Sequence, residues 1–231
     1  MTDTESLFKN DPQLADVAKV RAKFNRSVGA DELAAVVKAV EANGHNAVVA
    51  ENKADALAKI VALIPGGKSV NTAGSTTLAE VGFTDALKAN APGWLNLKEA
   101  IVAETDAAKQ AQLRLQANSA DFHLTSVHAV DHAGVLYAVD ATATRTGPLL
   151  FGPSHVIVVV GTNKIVADKA AAQERLLAYT LPLESARARV AYAAYGVKGS
   201  AANFTAEVHK ASPFSPTKRF TVIFVKDTLG F

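Results

Sequence analysis

Apolar positions recur at helical spacing early in the chain and then alternate with short β-branched runs. Asp11 and Pro12 open a helical pattern that reaches about residue 25, with Leu14, Val17, Ala18 and Val20 on one face. An Asp caps a helix, and a Pro is tolerated in the first turn, where its missing N–H would have no partner anyway. A second helix is predicted over 31–43, with Leu33, Val36, Val37 and Val40 in phase and Asn43-Gly44 as its stop. Residues 47–50 read as a short strand, 52–64 as a helix and 68–72 as the next strand. This β-α-β order predicts parallel pairing and a right-handed crossover.

Short helices are predicted over 76–81 and 84–89, then a break at Ala91-Pro92-Gly93 and one long helix over 98–118. Residues 122–127 and 135–140 read as strands joined by the turn Asp131-His132-Ala133-Gly134. That turn suits an antiparallel hairpin, although a parallel sheet can also take both strands. Residues 141–146 form a small polar loop, and 155–160 is the strongest strand signal, β-branched enough to be covered on both faces. A helix over 167–179 is expected to end at Leu181-Pro182-Leu183, with another over 184–194. Residues 195–217 read mostly as loop with room for one short strand, and 220–225 as the final strand. The sum is an α/β chain: a single Rossmann-like domain with a mainly parallel sheet over 31–231, preceded by an N-terminal helical extension over 1–30.

Composition narrows the function. At 49% hydrophobic and 20% charged residues, 231 residues can bury a sizeable core. A net charge of +2 argues against nucleic-acid binding by bulk charge. The stretch from Arg187 onward is more basic, with seven Lys/Arg against Glu207 and Asp227, and reads as a solvated face. No cysteine is present, which removes thiolate catalysis and cysteine-held metal or iron–sulfur centres. No signal-peptide pattern opens the chain and no apolar run is long enough to cross a bilayer, so a cytoplasmic protein without membrane attachment is expected.

Open α/β sheets bind ligands beyond the carboxyl ends of their strands. Three such ends carry polar residues. At the first, Asn71 leads through Gly74, Ser75, Thr76 and Thr77 into a helix. The unpaired N–H groups of such a turn, with the helix dipole, suit an anion; the same hydroxyls equally suit a simple helix cap, and both readings stand. The second end offers Ser126 and His128, and the third Gly161, Asn163 and Lys164. Glu80 lies one turn into the helix after Gly74 and reads either as a base or as a surface acid. Asp140 and Arg145 bracket a small-residue loop; Arg145 either holds an anion with two parallel bonds or pairs with Asp140. Glu80, His128 and Lys164 are the candidate catalytic groups, and the others candidate ligand contacts. His123, His128 and His132 lie close in sequence, but His123 and His128 are spaced to opposite faces of a strand and His132 falls in a turn, so no metal site is expected. No phosphate-loop, dinucleotide or nucleophile-elbow pattern occurs.

The motifs A-G-S-T-T-L at 73–78 with Glu80 and Gly82, S-V-H-A-V at 126–130, V-V-V-G-T-N-K-I-V at 158–166, L-P-L-E at 181–184 and V-K-D-T-L-G-F at 225–231, in this order, resemble the LUD-domain (lactate-utilisation) family. The resemblance covers about residues 31–231. It implies the fold of ribose-5-phosphate isomerases and CoA transferases, in which a G-S-T turn like Gly74-Ser75-Thr76 holds a sugar phosphate. It implies a small anionic metabolite as ligand, in lactate or organic-acid utilisation, with iron–sulfur oxidoreductase subunits as partners and room for a homo-oligomer. The alternatives it leaves are a non-catalytic subunit of an iron–sulfur lactate-oxidising complex and an isomerase- or CoA-transferase-like enzyme. Some longer relatives carry a cysteine cluster, and some show D-G-N-G-N-R where this chain has D-A-T-A-T-R at 140–145. No cofactor is therefore expected in this chain itself.

Overall fold

The structure is a computed structural model that describes residues 4–90, 92–214 and 218–231. Helices α1 (Thr4–Asn10) and α2 (Ala15–Phe24) flank a 3₁₀ turn at Pro12–Leu14. Next come α3 (Ala30–Ala42), β1 (Asn46–Ala50), α4 (Lys53–Leu63), β2 (Ser69–Thr72), α5 (Thr76–Glu80), α6 (Phe83–Ala89) and β3 (Leu95–Asn96). Then follow α7 (Leu97–Ala103), α8 (Ala107–Ala117), β4 (Phe122–Thr125), β5 (Ala129–Asp131), β6 (Leu136–Asp140), α9 (Thr146–Leu150) and β7 (His155–Gly161). The chain finishes with β8 (Ile165–Val166), α10 (Lys169–Arg175), α11 (Leu181–Ala191), β9 (Phe204–Val208) and β10 (Phe220–Val225).

Six strands form a parallel sheet in the order β1-β10-β7-β4-β2-β3. The most β-branched strand, β7, lies inside it, and its alternate residues face two separate cores. Val156, Val158 and Val160 meet α3 and a second sheet, whereas Ile157 and Val159 join a cluster with Ile60, Leu78, Phe83 and Trp94. The second sheet, β8-β5-β6-β9, is mixed: β5 runs parallel to β8 and antiparallel to β6, and β6 antiparallel to β9. The structure is thus a Rossmann-like α/β arrangement with N-terminal helices. Leu7, Leu14, Val17 and Phe24 of those helices pack on Tyr179, Leu183, Ala186 and Phe231. Among the described residues no helix is long and apolar enough to cross a membrane.

Several elements differ from the sequence reading. The helix expected over 98–118 is two helices, because Asp106 accepts the Lys109 N–H at 2.9 Å and starts a new one. The helix over 167–179 does not stop at Pro182; the helical path continues from α10 through a wide π turn at Leu176–Thr180 into α11. The wider turn makes room just before a residue that would otherwise clash with the preceding coil. The strand over 122–127 ends at Thr125, and Ser126-Val127-His128 crosses from one sheet to the other. The Asp131–Gly134 turn does form an antiparallel hairpin, but in the second sheet. The loop of 141–146 runs into α9, and 195–217 contains β9, with 215–217 outside the described residues. Nor is the basic stretch after Arg187 merely solvated. Arg187 pairs with Glu184, Arg189 with Asp11 and Lys226 with Glu51, while Arg219 donates to the carbonyls of Pro148, Leu149 and Pro153.

Candidate functional site

The site begins with a change of direction after β7. A 3₁₀ turn at Thr162–Lys164 folds the chain over the carboxyl edge of the large sheet. A side chain at Gly161 would come within 2.4 Å of Asn163 Oδ1 and 2.7 Å of the Leu229 nitrogen, so only glycine allows this packing. The turn aims Lys164 inward, where it is 2% exposed. Its Nζ donates to Thr77 Oγ1 at 2.9 Å and to Ser126 Oγ at 3.0 Å. One side-chain nitrogen therefore ties together the three strand-end segments.

The segment after β10 closes the other side. The Gly230 N–H donates to Glu80 Oε2 at 2.7 Å, and the Leu229 N–H to Asn163 Oδ1 at 3.0 Å. The Asn163 amide also donates to Asn25 Oδ1 at 3.1 Å and reaches the Gly230 carbonyl at 3.5 Å. Burial drives the Lys164 ammonium well below the usual lysine range, the charges of Arg175 and Arg145 add to this, and Glu80 opposes it.

Beside this centre, the Arg145 side chain does not pair with the Asp140 carboxylate. Its Nη1 donates to the Val139 carbonyl at 2.9 Å and its Nη2 to the Gly74 carbonyl at 2.6 Å. Its Nε is buried without a partner. The Asp140 carboxylate instead accepts backbone N–H groups of Thr142 and Arg145, holding the loop. Ser75 caps α5, accepting the Leu78 N–H at 3.2 Å, while Thr76 begins that helix. Asn71 is buried and donates to the Ala117 carbonyl at 3.1 Å. Of the candidates, Lys164, Thr77, Ser126, Glu80 and Asn163 converge with Gly230; Gly74 and Arg145 form a neighbouring contact; Asn71, Ser75, Asp140 and Gly161 serve local structure.

His128 is buried with Nδ1 unpartnered, and its carbonyl accepts Arg175 Nη1 at 2.6 Å. Burial first, then Arg175, Arg145 and Lys164, lower its pKa to about 3, so its ring is neutral. His123 is buried with both ring nitrogens unpartnered, and burial with Arg145 and Arg219 lowers it to about 3 as well. His132 is exposed and meets Glu32 at 2.9 Å. Among the described residues no group of His, Asp and Glu could hold a metal ion.

The sequence reading missed four groups. Arg175 is wholly buried, donating to His128 and Thr180, and burial brings its pKa down to about 10. Tyr179 is buried with an unpartnered hydroxyl. Lys98 is lowered by burial and by the charges of Arg187, Arg145 and Lys88. Arg175 and Lys98 sit in stretches that look like ordinary polar helix, so no local signal marks them. Gly230 was visible as part of the T-L-G-F ending, but nothing local ties it to Glu80. A separate depression of about 500 Å³, lined by Asn46, Pro65, His155 and Lys218 among others, lies at the opposite, amino edge and holds none of these groups.

Lys164, Thr77 and Ser126 meet beyond the carboxyl ends of the parallel strands β7, β2 and β4, the edge at which open α/β sheets bind ligands. Family comparison is specific: the chain belongs to the LUD-domain family, whose domain model matches residues 33–225. Membership supports a role related to lactate utilisation. The crystal structure of a DUF162 family protein from Deinococcus radiodurans is similar in fold, with a TM-score of 0.50 and 17% identity over 85% of this chain and 97% of that one. No curated protein matches.

Proposed function

We propose that this LUD-domain protein binds a small anionic metabolite of organic-acid metabolism at the carboxyl edge of its large sheet, in the cytoplasm. One observation carries the reading. Several cations elsewhere pair with carboxylates, as Lys226 does with Glu51 and Lys169 with Glu207. Among the described residues, Lys98, Arg145 and Arg175 have no carboxylate at ion-pair distance, although the charge of Arg145 reaches Lys98 and those of Arg145 and Arg175 reach Lys164. A desolvated cation without a counter-charge is costly, and a bound anion removes that cost. The unpartnered Arg145 Nε, Arg175 Nε, His128 Nδ1 and Tyr179 hydroxyl point the same way, since buried polar atoms normally have partners.

The test is thermal unfolding of the wild-type chain and of Arg145→Gln against lactate, pyruvate, inorganic phosphate and ribose 5-phosphate. At least one anion should raise the wild-type midpoint, with affinity falling about tenfold or more in Arg145→Gln, as loss of a charged hydrogen-bonding group implies. No stabilisation of the wild type by any anion at millimolar concentration would remove the proposal.

A further inference from the structure

The hydrogen-bond bookkeeping around Lys164 carries a further conclusion, which rests on the anion-site reading and names the chemistry of the ligand. The Thr77 hydroxyl donates to the Leu229 carbonyl at 3.5 Å, and the Ser126 hydroxyl to the Val127 carbonyl at 3.3 Å. Their hydrogens are committed, so both oxygens face Lys164 as acceptors. The two bonds from Nζ, 2.9 and 3.0 Å, then use two N–H groups. Among the described residues no third acceptor is present. A neutral amine in this position has both hydrogens satisfied and its lone pair unoccupied. Burial and the nearby Arg145 and Arg175 favour that neutral form.

Glycine at position 230 also keeps a side chain away from the nitrogen. Gly230 adopts φ +56°, and a side chain there would fall 3.4 Å from Lys164 Nζ and 2.5 Å from Thr77 Oγ1. The same glycine is held by Glu80, whose carboxylate is the acid nearest in effect to the amine. The strap over the site is held by the Glu80 carboxylate at 2.7 Å and by Asn163 Oδ1 at 3.0 Å, with longer contacts of 3.5 Å to Thr77 and to the Asn163 amide.

The geometry points to Lys164 as an amine nucleophile that forms an imine with the carbonyl of a small 2-oxo acid, the carboxylate of that acid lying toward Arg145 and Arg175. The nitrogen lone pair attacks the carbonyl carbon and the C=O π pair moves to oxygen, which takes a proton to give a carbinolamine. That hydroxyl leaves as water after protonation, the nitrogen loses its remaining proton, and a C=N bond results. Glu80 is placed to carry protons between these steps. No oxidant or reductant is consumed.

The experiment incubates the whole protein with pyruvate, 2-oxobutyrate or glyoxylate and sodium cyanoborohydride, which reduces an imine to a stable secondary amine. Peptide mass spectrometry then locates the adduct, and lactate, which has no carbonyl, is the control. The expected result is a reduced adduct on Lys164 in the wild type with oxo acids and none with lactate. Adducts confined to exposed lysines would overturn the imine. So would full thermal stabilisation by both lactate and pyruvate without an adduct on Lys164, and that outcome would leave the anion site standing. Absence of both adduct and stabilisation would overturn both readings. The Lys164→Gln variant is expected to lose the adduct while keeping adventitious labelling at exposed lysines.

Discussion

Lys164 Nζ and Thr77 Oγ1 meet at 2.9 Å although 87 residues separate them in the chain. The contact joins the first turn of α5, which follows β2, to the 3₁₀ turn that follows β7. It places a lysine in a setting where charge is disfavoured and hydroxyl acceptors are supplied. That relationship fixes the first prediction.

Lys164→Met should raise stability at pH 7 by about 1–3 kcal/mol, because a desolvated ionisable group is replaced by an apolar one of similar length. The sign of the pH dependence follows from the lowered folded pKa. Between that value and 10.5 the unfolded chain holds the extra proton, so wild-type stability rises with pH. The advantage of Lys164→Met should therefore shrink toward pH 10, as read from urea midpoints at several pH values. A pH-independent difference would contradict this assignment.

Acid should destabilise the fold through His123 and His128. Both sit at about 3 in the folded chain against an ordinary 6.5, because burial disfavours the charged ring. Their contribution is complete above pH 6.5 and is lost as pH falls toward 3, with a slope of about 1.4 kcal/mol per pH unit for each histidine. His45, lowered by burial in the same direction, adds to the effect. In His123→Leu the slope of stability between pH 6 and 4 should be visibly shallower, and equal slopes would show that His123 does not titrate as described.

Gly230→Ala should cost more than Gly67→Ala. Both glycines have positive φ, +56° and +76°, so each substitution bears about 1–2 kcal/mol of backbone strain. Only at Gly230 does the new methyl also strike Thr77 Oγ1, at 2.5 Å; at Gly67 nothing lies within 4 Å. Chemical denaturation of the two variants side by side measures the difference.

Ser75→Ala should lower stability by about 1 kcal/mol, the usual value of an N-cap, and leave anion-induced stabilisation unchanged. Its oxygen already accepts the Leu78 N–H. A loss of anion stabilisation larger than the loss of intrinsic stability would return Ser75 to the ligand contacts.

Most of the strands of the large sheet were legible because burial on both faces writes itself as unbroken β-branched sequence, as in β7 and β10. The caps were legible for a similar local reason. Asp11 and Ser75 each accept an N–H two or three residues on, and such a bond needs only neighbouring chain. The break between α7 and α8 was local too, in Asp106, but the Ala- and Gln-rich pattern around it hid it. Helical continuity past Pro182 was not legible, since it depends on a π turn stabilised by packing of Tyr179 and Leu183 against α1 and α2.

The sequence by itself determined the class of fold, the three polar strand ends and the family, because each rests on periodicity or on short-range spacing. Only the tertiary structure decided which polar residues share one site. Lys164 with Thr77 and Ser126, Glu80 with Gly230, and Arg145 with Gly74 are all contacts between distant segments. Burial, and with it the lowered pKa of Lys164 and Arg175, arises only when those segments close around them. A lysine in a polar turn and an arginine in a polar helix look ordinary in sequence, because desolvation is a property of everything packed around a residue.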